Sequence, residues 1–183
     1  MPILNETFDF GRDAPTGVQA AFENQSAKRN LFPSSTELFK FTEFDMFQPD
    51  RQGNRAVGTL VSPWWCSVLP LAPDDLGFDG LVTAARKAGK STLEFARDWL
   101  AVKYAWNTLA STQLGLARVQ RIRLQKPVYG FFGKVQRQDN DKVPLSKPGR
   151  SGGRASIKGG GIQIWIPNLT ADYFLQIATH LIP

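Results

Sequence analysis

Gln163 is the residue around which chemistry can be argued. It stands in "SIKGGGIQIWIP", just behind three consecutive glycines, as the only polar side chain of a strand-like apolar run. An amide carries a donor and an acceptor side by side. Three residues without a Cβ mark a point where the backbone takes positive φ or comes close to something else. The rest of the inventory is thin. Cys66 is the only cysteine and His180 the only histidine. A disulfide within the chain is therefore excluded, and nothing favours a cysteine metal site or a Ser–His or Cys–His pair.

The other chemistry-bearing feature is charge. The chain has a formal net charge of +6 over 183 residues. From Lys134 to Lys158 seven basic residues, Arg154 among them, face only Asp139 and Asp141, in a stretch rich in Gly, Ser and Pro. Two readings stay open. One is a solvated loop spanning 134–158. The other is a basic lip over a phosphate-bearing ligand or a nucleic-acid backbone, with Trp165 or Phe131 stacking on bases.

Residues 1–36 read as a polar lead-in with a short helix starting at Pro15, a residue suited to a first turn. Residues 37–183 read as one α+β domain. "ELFKFTEF" alternates as a half-buried strand, and "GTLVSPWWCSV" reads as a second one interrupted at Pro63. "AARKAGKST" imitates a phosphate-binding loop, but Ala84 stands where the first glycine belongs and the preceding segment is helical. Two helices meeting at Gly89 explain it better, the second capped by Ser91 with Glu94 three residues on. Phe95, Trp99, Val102, Trp106 and Leu109 then give that helix one apolar face. "LGLARVQRIRLQKPVYGFFGKV" returns to strand with a bulge, and Pro127 ends a ladder or opens an edge strand. In the closing strand Ile162, Ile164 and Ile166 share one face and Gln163 and Trp165 the other. Thr170 is placed to cap a last helix carrying His180, with Leu169 and Phe174 as a staple. Runs of strands separated from runs of helices predict a largely antiparallel sheet with flanking helices. No apolar run reaches the length of a membrane span and the start lacks the pattern of an export signal. The expectation is a soluble protein acting in a cytoplasm, its own or a target cell's, and the two glycosylation-like triplets, "NQS" and "NLT", read as chance.

Set in order, "PDRQGNRAVGTLVSP", "VQRIRLQKPVYGFFGKVQ" and "GGGIQIWI" resemble the segments of NAD glycohydrolases of the tuberculosis necrotizing toxin type. "ELFKFTEF" followed by "WWCS" is similar to the first core strands of the wider ADP-ribosyltransferase fold. The resemblance covers about two fifths of the chain. It implies an ADP-ribosyltransferase-like fold and a toxin or effector activity that releases nicotinamide from NAD, with NAD as substrate and no bound cofactor or metal. It places Gln163 as the catalytic amide and Arg51 on the dinucleotide phosphates. Lys40 stands where the transferases have an arginine. Trp65, Ser67, Trp165, Gly160, Gly161, Arg154 and Lys158 complete the expected substrate contacts. An immunity or delivery protein is the partner such a toxin implies. The departures are specific: the family's active-site histidine and one aromatic have no counterpart, Thr59 and Leu60 standing in the aromatic's place, and the spacer before the glycines is longer. The alternatives are a basic nucleic-acid-binding domain using 134–158, or an inactive interaction module of the same fold.

Overall fold

In the computed structural model, residues 2–42, 62–101, 118–140 and 155–181 are described. Nine strands are present among them: β1 (Lys28–Phe32), β2 (Glu37–Thr42), β3 (Trp64–Ser67), β4 (Arg118–Leu124), β5 (Val128–Lys134), β6 (Gln138–Asn140), β7 (Ala155–Ile157), β8 (Ile162–Trp165) and β9 (Phe174–Leu181). Seven of them form one sheet in the order β1-β5-β8-β3-β2-β4-β9, every neighbouring pair antiparallel. The fold class is α+β. Four α-helices lie among the described residues: α1 (Phe10–Asp13), α2 (Thr16–Gln19), α3 (Gly77–Lys87) and α4 (Thr92–Trp99).

Side-chain alternation along the strands divides the core. One face carries Leu38, Trp65, Ile122 and Ile164, and there Phe32 and Val128 from one end of the sheet meet Leu124 and Phe174 from the other. The sheet is therefore folded over this cluster, which lies on its concave side. On the convex side α3 and α4 cover Phe39, Phe41, Cys66 and Val119. Farther along that side, Phe8, Phe10 and Phe22 cover Phe131 and Trp165. The strand β2 is thus buried on both faces, not half-buried, with Leu38 and Phe39 at 0% and 1% exposure.

The helix junction follows the sequence. Gly89 has φ +62° just past α3. Ser91 and Glu94 then form the reciprocal capping box that opens α4. The bulge predicted in β4 lies instead in β9: Arg121 pairs with Ala178 and Ile122 with Gln176, so Ile177 is the extra residue, while β4 runs without a shift against β2 and sets Val119 and Ile122 on opposite faces.

Four further expectations are corrected. Residues 1–36 are not only a lead-in: the short helix is there, but β1 pairs with β5 through five residues. The last helix is a single turn, Ala171–Tyr173, followed by the strand β9. Thr170 spends its hydroxyl on Asp172 instead of a helix N–H, and the unpaired side of β4 offers the following residues a ladder. That is a tertiary override of a good capping pattern. The α4 helix ends at Trp99, where Ala101 takes φ +49°; Val102, Trp106 and Leu109 lie outside the described residues. Of the two readings of Pro127, the end of a ladder agrees with the structure, since β4 stops at Leu124, and the edge strand does not, since β5 lies between β1 and β8. The stretch 134–158 is not an open loop throughout, because Lys134 closes β5 and β6 pairs with β7.

Candidate functional site

The three glycines pass through a narrow gap. On one side is the C-terminal end of α4; on the other, Val135 just beyond β5. Gly159 N–H donates to the Asp98 carbonyl at 2.9 Å, Gly160 N–H to the Val135 carbonyl at 2.8 Å, and Gly161 N–H to the Trp99 carbonyl at 2.9 Å. Val135 N–H returns a bond to the Gly161 carbonyl at 2.8 Å. The Asp98 carboxylate accepts from Lys158 N–H at 3.1 Å. A Cβ on Gly159 would sit 2.6 Å from the Val135 carbonyl oxygen, and one on Gly161 2.5 Å from the Trp99 ring. Gly159 and Gly160 also have φ of +69° and +91°. Close approach and positive φ together explain why glycine occupies all three positions.

This joint fixes where β8 begins and so where Gln163 points. Gln163 lies on the convex face and is half-buried. Its Nε2 donates to the Leu100 carbonyl at the end of α4, at 3.3 Å. That acceptor sets the amide orientation. The Gln163 Oε1 is left without a hydrogen-bond partner among the described residues, free to accept from a hydroxyl or a water.

Close by, the Trp99–Leu100 end of α4, the Asp75–Gly77 turn and Cys66 and Ser67 of β3 enclose a narrow cleft of about 10 Å³. It has room for roughly one water. The Asp75 carboxylate accepts from Leu71 N–H at 2.9 Å and Gly77 N–H at 3.3 Å. Burial raises its pKa above the usual carboxylate range, against the opposing pull of those two N–H groups. Burial also pushes the Cys66 thiol well up, so it is no thiolate nucleophile. No cluster of His, Cys, Asp or Glu able to hold a metal ion occurs among the described residues.

The structure brings some of the sequence-predicted residues together. Gln163, Gly160, Gly161 and the exposed Lys158 share the joint at the end of α4. Trp165 lies on the same face as Gln163 but is 5% exposed, enclosed by Phe8, Phe10 and Phe131 at ring distances of 5.5, 6.1 and 6.0 Å. Lys40 and Trp65 lie on the concave face, away from Gln163. Trp65 is 1% exposed, with the Lys40 ammonium 5.4 Å from its ring centre. Ser67 is buried at the end of β3. Arg51 and Arg154 lie outside the described residues. Phe131 is 1% exposed, so neither of the aromatics considered for base stacking presents a face to a ligand, and Lys134 pairs with Asp74 at 2.6 Å. Asp98 and the Leu100 carbonyl were not predicted. No local pattern marks them, since one is an ordinary helix carboxylate and the other a backbone group.

No family model matches the chain, and no curated protein matches it. Among solved structures, one described as "Structure of Tne2 in complex with Tni2" is similar, with a TM-score of 0.46 and 13% identity, over 86% of this chain and 93% of that one. At that score and identity the likeness carries no functional inference.

Proposed function

We propose that this protein is an NAD glycohydrolase of the toxin or effector type, on an ADP-ribosyltransferase-like fold. The observation that supports this reading is the Gly-Gly-Gly-x-Gln joint. Its backbone is fixed by bonds to Asp98, Trp99 and Val135, and it presents a Gln163 amide whose nitrogen is engaged and whose oxygen has no partner among the described residues.

The chemistry asks for little more. The bond from the ribose anomeric carbon to the nicotinamide nitrogen breaks, the ring leaves neutral, and no general acid is needed. Water adds to the same carbon and releases a proton. The transition state is oxocarbenium-like, as in glycoside hydrolysis. Orientation and aimed dipoles do the catalytic work. Gln163 Oε1 accepts from a ribose hydroxyl or from the attacking water. Lys158, with Arg51 and Arg154, holds the pyrophosphate. The cleft beside Asp75 is too small for a dinucleotide, so NAD lies across the joint and not inside that cleft. Trp65 and Trp165 are core residues and take no part. The natural partner in this reading is a protein that covers the joint, as an immunity or delivery protein does.

The test is nicotinamide release from NAD, followed by chromatography. Wild type is expected to release it, and Gln163→Ala to lose at least about a hundredfold in rate with an unchanged circular dichroism spectrum. Equal release by both proteins would remove Gln163 from the mechanism. No release by either would remove the activity.

A further inference from the structure

Two buried polar side chains on the concave face lack hydrogen-bond partners, and an ammonium stands beside them. Gln120 of β4 is 0% exposed, and neither its Nε2 nor its Oε1 has a hydrogen bond. Trp65 Nε1 is likewise buried and unpartnered. Lys40 stands directly opposite Gln120 in the β2–β4 register and above the Trp65 ring. Strand alternation puts all three on the side of Ile122 and Ile164, across the sheet from Gln163. Buried amides and indoles are otherwise almost always satisfied, and each orphan calls for an explanation.

The composition of the cluster says what would satisfy it. The cluster holds an ammonium, an indole N–H and an amide NH₂ against one amide oxygen, so donors outnumber acceptors. The only charge is positive. The electrostatic influence on Lys40 comes from Cys66, with no carboxylate acting on it among the described residues. A guest with balanced donors and acceptors would leave donors over; an oxyanion would not. We propose that Lys40, Gln120 and Trp65 hold an oxyanion, a phosphate or carboxylate group, at a site on the concave face separate from Gln163. Trp65 Nε1 and Gln120 Nε2 donate to it. The Lys40 ammonium supplies the counter-charge and donates to Gln120 Oε1. This assignment does not depend on NAD cleavage.

The experiment is thermal unfolding at pH 7 and fixed ionic strength, titrating inorganic phosphate in one arm and sodium acetate in the other. Wild type is expected to rise in Tm, saturably, in one arm, and that arm identifies the group. Gln120→Leu replaces the orphan amide by an apolar side chain of similar size. It is expected to unfold at or above the wild-type Tm without added anion, and to bind at least about tenfold more weakly. Phosphate stabilises many proteins non-specifically, so the variant is the decisive comparison. A rise that Gln120→Leu retains in full overturns the proposal, as does no rise in either arm. Should Gln120→Leu fail to fold, Lys40→Met is read by the same criterion.

Discussion

Lys40 brings an ammonium onto the concave face of the sheet, and burial lowers its pKa from 10.5 to about 8. The sign of the resulting pH dependence follows from the unfolded state, which still binds this proton up to about 10.5. Below about pH 8 the folded protein carries a buried charge that costs stability. As pH climbs from about 8 to 10.5 the folded protein sheds the proton first, and the cost is relieved. Lys40→Met, measured in chloride buffer, is therefore expected to raise Tm at pH 7, by about 2–4 °C for each kcal/mol of penalty removed. The gain over wild type should shrink at pH 10. A constant difference across that range would show that the ammonium is not desolvated. At the same scale Gln163 and Gln120 make opposite cases. One amide is oriented by a backbone carbonyl; the other is enclosed with nothing to bond.

The element that carries the site is the joint between α4 and β8. Its glycines are not equivalent, which makes the packing testable. At Gly161 a methyl group would meet the Trp99 ring at 2.5 Å and its carbonyl oxygen at 2.7 Å, so backbone has to move. Gly161→Ala is expected to cost about 2 kcal/mol or more. At Gly160 a Cβ meets nothing within 4 Å, and only the φ of +91° opposes a side chain. Gly160→Ala is expected to cost about 1–2 kcal/mol in backbone strain. Urea unfolding midpoints check the order, and a Gly161→Ala variant as stable as wild type would mean the α4 end is not in contact. The glycine run was legible as a site of close approach or positive φ because no other residue type does both. Its partners were not legible. Asp98 and Trp99 are some sixty residues away in the chain, and no local pattern marks the end of α4 as the surface β8 threads past.

The whole molecule depends on its N-terminal residues more than their polarity suggests. The strand β1 closes one edge of the sheet on β5, and Phe8, Phe10 and Phe22 seal Phe131 and Trp165. A chain beginning at residue 37 would bare an interior strand and an aromatic cluster together. Such a truncation is expected to aggregate or to bind a hydrophobic dye, losing the cooperative unfolding of the full chain. A truncated protein that unfolds cooperatively at the wild-type Tm would show that 37–183 is self-sufficient. No helix among the described residues is long and apolar enough to cross a membrane.

What the sequence by itself determined is local. The helix junction at Gly89, the capping box and the strand character of β2 to β5 and β8 each follow from chemistry within a few residues of the position concerned. The exclusion of a disulfide within the chain follows from composition alone. The tertiary structure decided which face each strand residue joined, and with it the separation of Lys40 and Trp65 from Gln163. It also decided that Phe174–Leu181 is a strand although a helix cap precedes it. The reason is the same in each case. Alternation says which residues share a face, but only the partner strands and covering helices say what that face meets, and those partners come from distant parts of the chain.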